Sequence, residues 1–425
     1  MGRVAPYVNE NARFGATASP DPQPVTRDRL GVSALDKIIQ KVIVPPMTNI
    51  STRVDAAVQS AINEKRIVGA VIAVMQDGQF AHLRAYGMAD REAGVPMKED
   101  AIFRLASISK PIVTAAAMAM IEAGKFKLDT PVTDFLPDFK PKAPDGSTPT
   151  ITIRHLLTHT AGLSYDFLQP PDGPYNTIPV SAGIDGDFTM EDNLSRMVRA
   201  GLTFPPGAAW LYSVAIDVLG AVMAKAEGTD VEGAVQKYVL SPMGMSDTSF
   251  HVTDPSRLVQ PYSNAAPEPV PIGDNFKQAF VPGCAPINLG TSRAFNHNAF
   301  QGGGGCMNGK ALDVVRLLDT IRSGGDPILS EASTQQMMSN QIGPLRILFD
   351  PTGNTAFGFG GSILLDPAAS GSALSPGSWQ WGGVWGHSWF VDPTRKLSIV
   401  NLTNTTLEGM SGQLPGDVQR AVVGG

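Results

Sequence analysis

The sequence predicts an α+β protein: an antiparallel sheet flanked by helices, with a mostly helical domain inserted into it. Three observations point there. Near the start, two apolar runs meet at Asp77-Gly78, a strong hairpin signal. From about Leu128 to Pro282 the texture changes to helical runs interleaved with Pro/Gly loops. Strand-like runs then return between Phe357 and Thr403. Strands from both ends of the chain most simply share one antiparallel sheet, covered by the first, core and last helices.

Residues 1–46 read as an extended arm. Thr17 to Arg29 is rich in Pro, Asp and Thr without a helical period, and Leu35, Ile38, Ile39, Val42 and Ile43 form one short amphipathic turn that docks on the body. A helix follows over Ser51–Lys65, with Val54, Ala57, Val58, Ala61 and Ile62 on one face. The hairpin strands span Val68–Met75 and Gln79–Tyr86. After Ser107 comes a largely buried core helix carrying Val113, Ala116, Ala117, Met120 and Ile121, with Gly124 as its stop. Pro111, lacking an N–H, suits only the first turn of that helix. The inserted region contains Ile151–Leu163, Pro205–Gly220 and Leu240–Phe250. Beyond it lie a helix at Ala311–Ser323, strands at Phe357–Leu365, Trp385–Val391 and Leu397–Thr403, and a closing helix at Gly412–Val423. The last two strands meet at an Asp392-Pro393 turn. The domains are therefore the arm, 1–46; an α/β domain, 47–127 and 283–425; and the mostly helical 128–282.

Composition narrows the function. With 425 residues, 43% hydrophobic and 17% charged, the chain is that of a globular protein with a large core. A net charge of −6 argues against nucleic-acid or anionic-membrane partners. Two cysteines, Cys284 and Cys306, make no disulfide framework and read as free thiols. No targeting segment or run near the ~20 apolar residues of a membrane span is visible, so the expected setting is cytoplasmic. Oligomeric state is not legible.

The stretch that carries chemistry is Ser107-Ile108-Ser109-Lys110. A hydroxyl and an amine three residues apart share one helix face. At a helix entrance, backbone N–H groups and the dipole stabilise a developing oxyanion. Apolar neighbours (Phe103, Leu105, Ala106, Ile112, Val113) predict a buried lysine, and a buried amine kept neutral can take the serine's proton. Tyr212, after a Pro-Pro-Gly turn, offers a phenol as a second base. Trp381-Gly382-Gly383-Val384 precedes a strand; its paired glycines let substrate approach the backbone, and a strand-edge N–H supplies a second oxyanion donor.

Other patterns read as structural. Gly304-x-x-x-x-Gly309-Lys310 approaches a phosphate loop, but position 311 is Ala, with no hydroxyl for Mg²⁺; Gly302–Gly305 instead marks a tight backbone approach beside a pocket. His155 and His159 are four apart, yet no glutamate lies between them and no third ligand is evident, so no metal and no cofactor are expected. No G-x-S-x-G occurs, and His387, between Gly386 and Ser388, is a weak triad candidate.

Together these pieces resemble the family VIII carboxylesterases, esterases related to class C β-lactamases and DD-peptidases. The resemblance runs from about Ser51 to the C-terminus. It rests on Phe103–Pro111 (FRLASISKP), Leu156–Leu163 (LLTHTAGL), Leu211–Gly220 (LYSVAIDVLG), Pro242–Thr248, Gln380–Phe390 (QWGGVWGHSWF) and Leu402–Thr405. It implies a β-lactamase/DD-peptidase-like fold and a serine carboxylesterase for short-acyl, small-molecule esters. Ser107 is then the nucleophile, Lys110 and Tyr212 the base and proton relay, and the Ser107 and Val384 N–H groups the oxyanion hole. β-Lactamase, D-amino-acid peptidase and acyltransferase activities are the alternatives on the same scaffold. Two departures favour esters. Where the lactamases carry Tyr-x-Asn this chain has Val214, and where they carry Lys-Thr-Gly it has Trp381-Gly382-Gly383. Losing the amide and the cation makes the site more apolar, which suits neutral esters over anionic lactams.

Overall fold

At Asp77-Gly78 both residues take positive φ, 52° and 79°, the backbone of a two-residue turn whose twist matches the strands it joins. The computed structural model describes residues 49–424, apart from 187 and 351; the arm expected at 1–46 lies outside them. The sheet strands are β1 Gly69–Gln76, β2 Gln79–Asp90, β3 Val95–Pro96, β4 Thr355–Phe357, β5 Ser362–Leu364, β6 Trp379–Gly383, β7 His387–Asp392 and β8 Leu397–Thr403. They form one eight-stranded antiparallel sheet in the order β4-β5-β6-β7-β8-β1-β2-β3. β1 joins the two ends of the chain, pairing Ala73 with Val400 of β8 and Ile72 with Arg84 of β2.

β1 is buried from Gly69 to Met75 because both of its faces are covered. Ala70, Ile72 and Val74 face a core made with helix α1 (Asn49–Asn63) and the closing helix. Val71, Ala73 and Met75 face the larger core of the molecule. α1 presents Val54, Val58 and Ala61 to the sheet, three- and four-residue steps along one stripe.

Two expectations about strands need correction. The run Phe357–Leu365 is not one strand but two, β4 and β5, folded back on each other around Gly358–Gly361. Gly360 takes φ +79°, which a continuous strand of L-residues does not allow. Likewise Trp381–Gly383 is not a lead-in to a strand but the end of β6, paired with β7 as Trp381↔Trp389 and Gly382↔Ser388.

The helix after Ser107 also sits differently. Helix α2 (Ser109–Glu122) packs against α3 (Ala215–Glu227) and the π-helical turn Gln236–Leu240. The sheet face opposite α1 is covered by α4 (Ala311–Arg322), which contacts β1, β7 and β8. The physical reason is that α2 is apolar all round, Lys110 to Ala119 being buried, so it belongs inside the core. α5 (Leu414–Val423) lies beside α1, as expected of the closing helix.

Candidate active site

The chain reaches the site through a short strand, Phe103–Arg104, paired with Asn308–Gly309. A 3₁₀ turn, Ala106–Ile108, then leads into α2, whose first turn contains Pro111. Ser109 pins this turn: its hydroxyl donates to Ala106 O at 2.7 Å and accepts the Met307 N–H at 3.1 Å. Ser107 is left facing a cavity of about 510 Å³, whose lining includes Tyr165, Phe167, Phe280, Phe349, Trp381 and Leu407.

Lys110 is fully buried. Its Nζ lies 3.1 Å from Ser107 Oγ, 3.2 Å from the Tyr165 hydroxyl and 2.5 Å from Gly304 O. The amine also stands 4.5 Å from the Tyr212 ring centroid and 5.5 Å from that of Tyr165. Tyr212, in the segment before α3, brings its hydroxyl within 2.6 Å of Ser107 Oγ. Trp381 Nε1 donates to the Tyr212 hydroxyl at 3.3 Å, and the two rings lie 5.2 Å apart. Lys110 and Tyr212, far apart in sequence, thus converge on the Ser107 hydroxyl, and Trp381 holds the Tyr212 phenol from behind.

Gly382 and Val384 line the cavity with Trp381, and Gly383 lies between them in the chain. A Cβ on Gly383 would stand 2.8 Å from Leu105 O, so only glycine lets the end of β6 lie against the segment carrying Ser107. Ser107 and Val384 both line the cavity. Among the described residues, neither backbone N–H has a protein acceptor. Val214 is buried at the start of α3.

Backbone strain concentrates here. Of the seven described non-glycine residues with positive φ, three surround the site: Ala106, His159 and Leu407, at 46°, 57° and 63°. Each such conformation costs about 1–3 kcal/mol and persists where the surroundings enforce it.

The three histidines singled out in the sequence each make at least one hydrogen bond within the fold. His155 closes a capping box: its N–H reaches Thr152 Oγ1, and its Nδ1 accepts the Thr152 N–H. His159 is buried, its Nδ1 accepting the Ser213 N–H at 3.2 Å, with its ring 5.0 Å from that of Tyr212. Burial, then the charge of Lys110, pushes His159 well below the ordinary histidine range. His387 donates from Nε2 to Arg104 O at 2.8 Å, and burial lowers it to about 4. Among the described residues no group of three or more His, Cys, Asp or Glu side chains is placed to hold a metal ion. No described helix is long and apolar enough to cross a membrane. Gly304 and Gly305 line the cavity, the backbone approach expected of that glycine run.

Sequence reasoning missed Tyr165, the Gly304 carbonyl and Phe349. Tyr165 stands two residues beyond the LLTHTAGL stretch, in a loop with no periodicity to single it out. Gly304 acts through its peptide group, which every residue has.

A family model described as Beta-lactamase matches residues 54–423. Esterase EstB of Burkholderia gladioli is 44% identical over 368 residues, 86% of this chain and 93% of its own length. The solved structure of EstCE1, described as a hydrolase with promiscuous acyltransferase activity, superposes with a TM-score of 0.85 at 41% identity, covering 88% of this chain and 98% of that one. Simvastatin synthase from Aspergillus terreus shares the fold, with a TM-score of 0.69 at 21% identity over 88% of this chain and 98% of that one. Matched over almost all of its described length, this chain belongs to the β-lactamase family, in the branch of the family VIII carboxylesterases.

Proposed function

We propose that the protein is a serine carboxylesterase that cleaves short-chain acyl esters of small molecules through an acyl-enzyme on Ser107. The observation that carries this reading is a single one: Ser107 Oγ lies within hydrogen-bond reach of both Lys110 Nζ and the Tyr212 hydroxyl at the wall of an apolar cavity. The Lys110–Tyr212 pair takes the serine proton as Oγ attacks the ester carbonyl. The Ser107 and Val384 N–H groups receive the oxyanion, each such donor typically contributing about 3 kcal/mol. The pair returns the proton to the departing alkoxide, then activates a water that releases the acid and restores Ser107.

The cavity's aromatic walls favour neutral acyl groups, because an unpaired buried carboxylate costs several kcal/mol. Under the domain division read from sequence, Ser107, Lys110 and Trp381 come from the α/β part and Tyr212 from the mostly helical part, so the site forms where the two meet. A cytoplasmic setting fits the free thiols of Cys284 and Cys306. Acyl transfer to an alcohol is the second reading, favoured by the same apolar lining, which offers water few partners.

A paired assay tests the function. Turnover of p-nitrophenyl butyrate should far exceed that of nitrocefin. A preference for nitrocefin would make the protein a lactamase, and a burst without turnover a protein that only traps acyl groups.

A further inference from the structure

Behind the Ser107 cluster lies a carboxylate that the mechanism above leaves without a task. Asp217 sits in the first turn of α3, five residues after Tyr212, and is fully buried. Its Oδ1 accepts the Gly304 N–H at 2.9 Å, and the carbonyl of that same glycine accepts from Lys110 Nζ at 2.5 Å. Gly304 therefore stands between a carboxylate and an amine, bonded to both. It has no room for a side chain: a Cβ there would lie 2.9 Å from Asp217 Oδ2 and 2.9 Å from the Tyr165 hydroxyl, itself 3.2 Å from Lys110 Nζ. Oδ2 has no hydrogen-bond partner among the described residues.

A fully buried carboxylate with one oxygen unpaired is an expensive group. An asparagine of the same shape would accept the Gly304 N–H through Oδ1 without the charge. The charge itself needs a reason. The basic groups facing Asp217 are Lys110 and Arg293, and among the described residues the carboxylate bonds to the Gly304 N–H and to neither of them. The other titratable groups around it are Tyr165 and Cys306, both held in their neutral forms by burial. Burial raises the Asp217 carboxyl to about 6, so above that pH it is an anion one residue removed from the reacting serine's base.

We propose that Asp217 is a positioning residue for the base. Through the Gly304 peptide it fixes Lys110 against Ser107, and its negative charge holds a proton on the Lys110–Tyr212 pair. The proposal rests on the reading of that pair as the base of Ser107. An anion behind the pair makes loss of the proton harder, so removing the charge moves the acid limb of the rate profile to lower pH.

The test is Asp217→Asn, with kcat/KM for p-nitrophenyl butyrate measured across pH on protein whose fold is checked by circular dichroism. The acid limb should move down by about one pH unit while KM stays within about twofold. Phosphonylation of Ser107 by a fluorophosphonate, which stops after the first step, should show the same shift. Asp217→Ser provides a second variant lacking the charge and should shift the limb in the same direction. A limb that stays at its wild-type position in the folded variants overturns the proposal. Failure of both variants to fold overturns it too, since Asp217 would then be a structural requirement. Lys110→Met is run alongside: if it keeps wild-type phosphonylation, the base reading itself fails, whereas its loss with an unmoved Asp217→Asn limb sinks the Asp217 proposal alone.

Discussion

Two serines two residues apart have opposite fates, and the difference lies in what each hydroxyl touches. Ser107 faces the cavity beside Lys110 and Tyr212, whereas Ser109 spends its hydroxyl on Ala106 O and the Met307 N–H. Ser107→Ala should leave a folded protein with esterase activity down by at least ~10³-fold, as expected on losing a covalent catalyst. Ser109→Ala should keep the nucleophile but lose about 1–3 kcal/mol of stability, because the Met307 N–H is left unpaired. Activity and thermal melts on both proteins separate the roles; the reverse pattern would put the motif in the wrong register. Trp381 is the second residue on which specificity turns. Its indole donates to the Tyr212 hydroxyl and stands 6.2 Å from Phe349, forming an apolar wall. Trp381→Lys should raise the ratio of kcat/KM for nitrocefin over butyrate ester, by giving a lactam carboxylate a partner. It should also slow ester turnover. An unchanged ratio in a folded variant would end the argument for ester specificity.

At the scale of elements, the site depends on how closely the end of β6 approaches the 3₁₀ turn before α2. Gly383 sets that distance, since a Cβ there would stand only 2.8 Å from Leu105 O. Gly383→Ala forces the strand end and the turn apart by a few tenths of an ångström, and with them the Ser107 and Val384 N–H groups. We expect kcat to fall by roughly 10–100-fold with a smaller change in KM, because an oxyanion is held only in the transition state. Steady-state kinetics on the folded variant check this; an equal loss in KM would mean that substrate binding is what suffers. The sequence marked these glycines as a close approach but read them as lying outside a strand, since β6 is five residues long and two of them are glycine. Short strands of this kind are fixed by their partners rather than by their own propensity.

For the whole molecule, carboxyls withdrawn from water make stability depend on pH. Asp166 is raised from 3.8 to about 7, by burial and then by Asp185. In the unfolded chain it ionises near 3.8, so between the two values unfolding releases a proton. Its contribution is fully present below 3.8 and lost as pH rises through 7. Asp166→Asn carries no such penalty, so its thermal midpoint should gain on the wild type from about pH 4 to about pH 8. A constant gap between the two proteins would show that Asp166 stays ionised in the fold. The sequence alone was enough for the hairpin, for α1, α4 and α5 to within a few residues, and for the Ser107–Lys110 face. All of these are local: a turn chemistry, a periodicity or a three-residue spacing sets them whatever else the chain does. It also carried the family's motifs, and through them Tyr212 and Trp381. Only the tertiary structure decided that α2 lies inside the core with α4 in its place on the sheet, that 357–365 folds back on itself, and that Tyr165, Asp217 and the Gly304 peptide enclose Lys110. The last of these joins Lys110 to the Gly304 carbonyl, 194 positions away, through loops and backbone groups. Neither leaves a period or a composition for a reader of sequence to find, because the choice between such arrangements is made by which surfaces pack together.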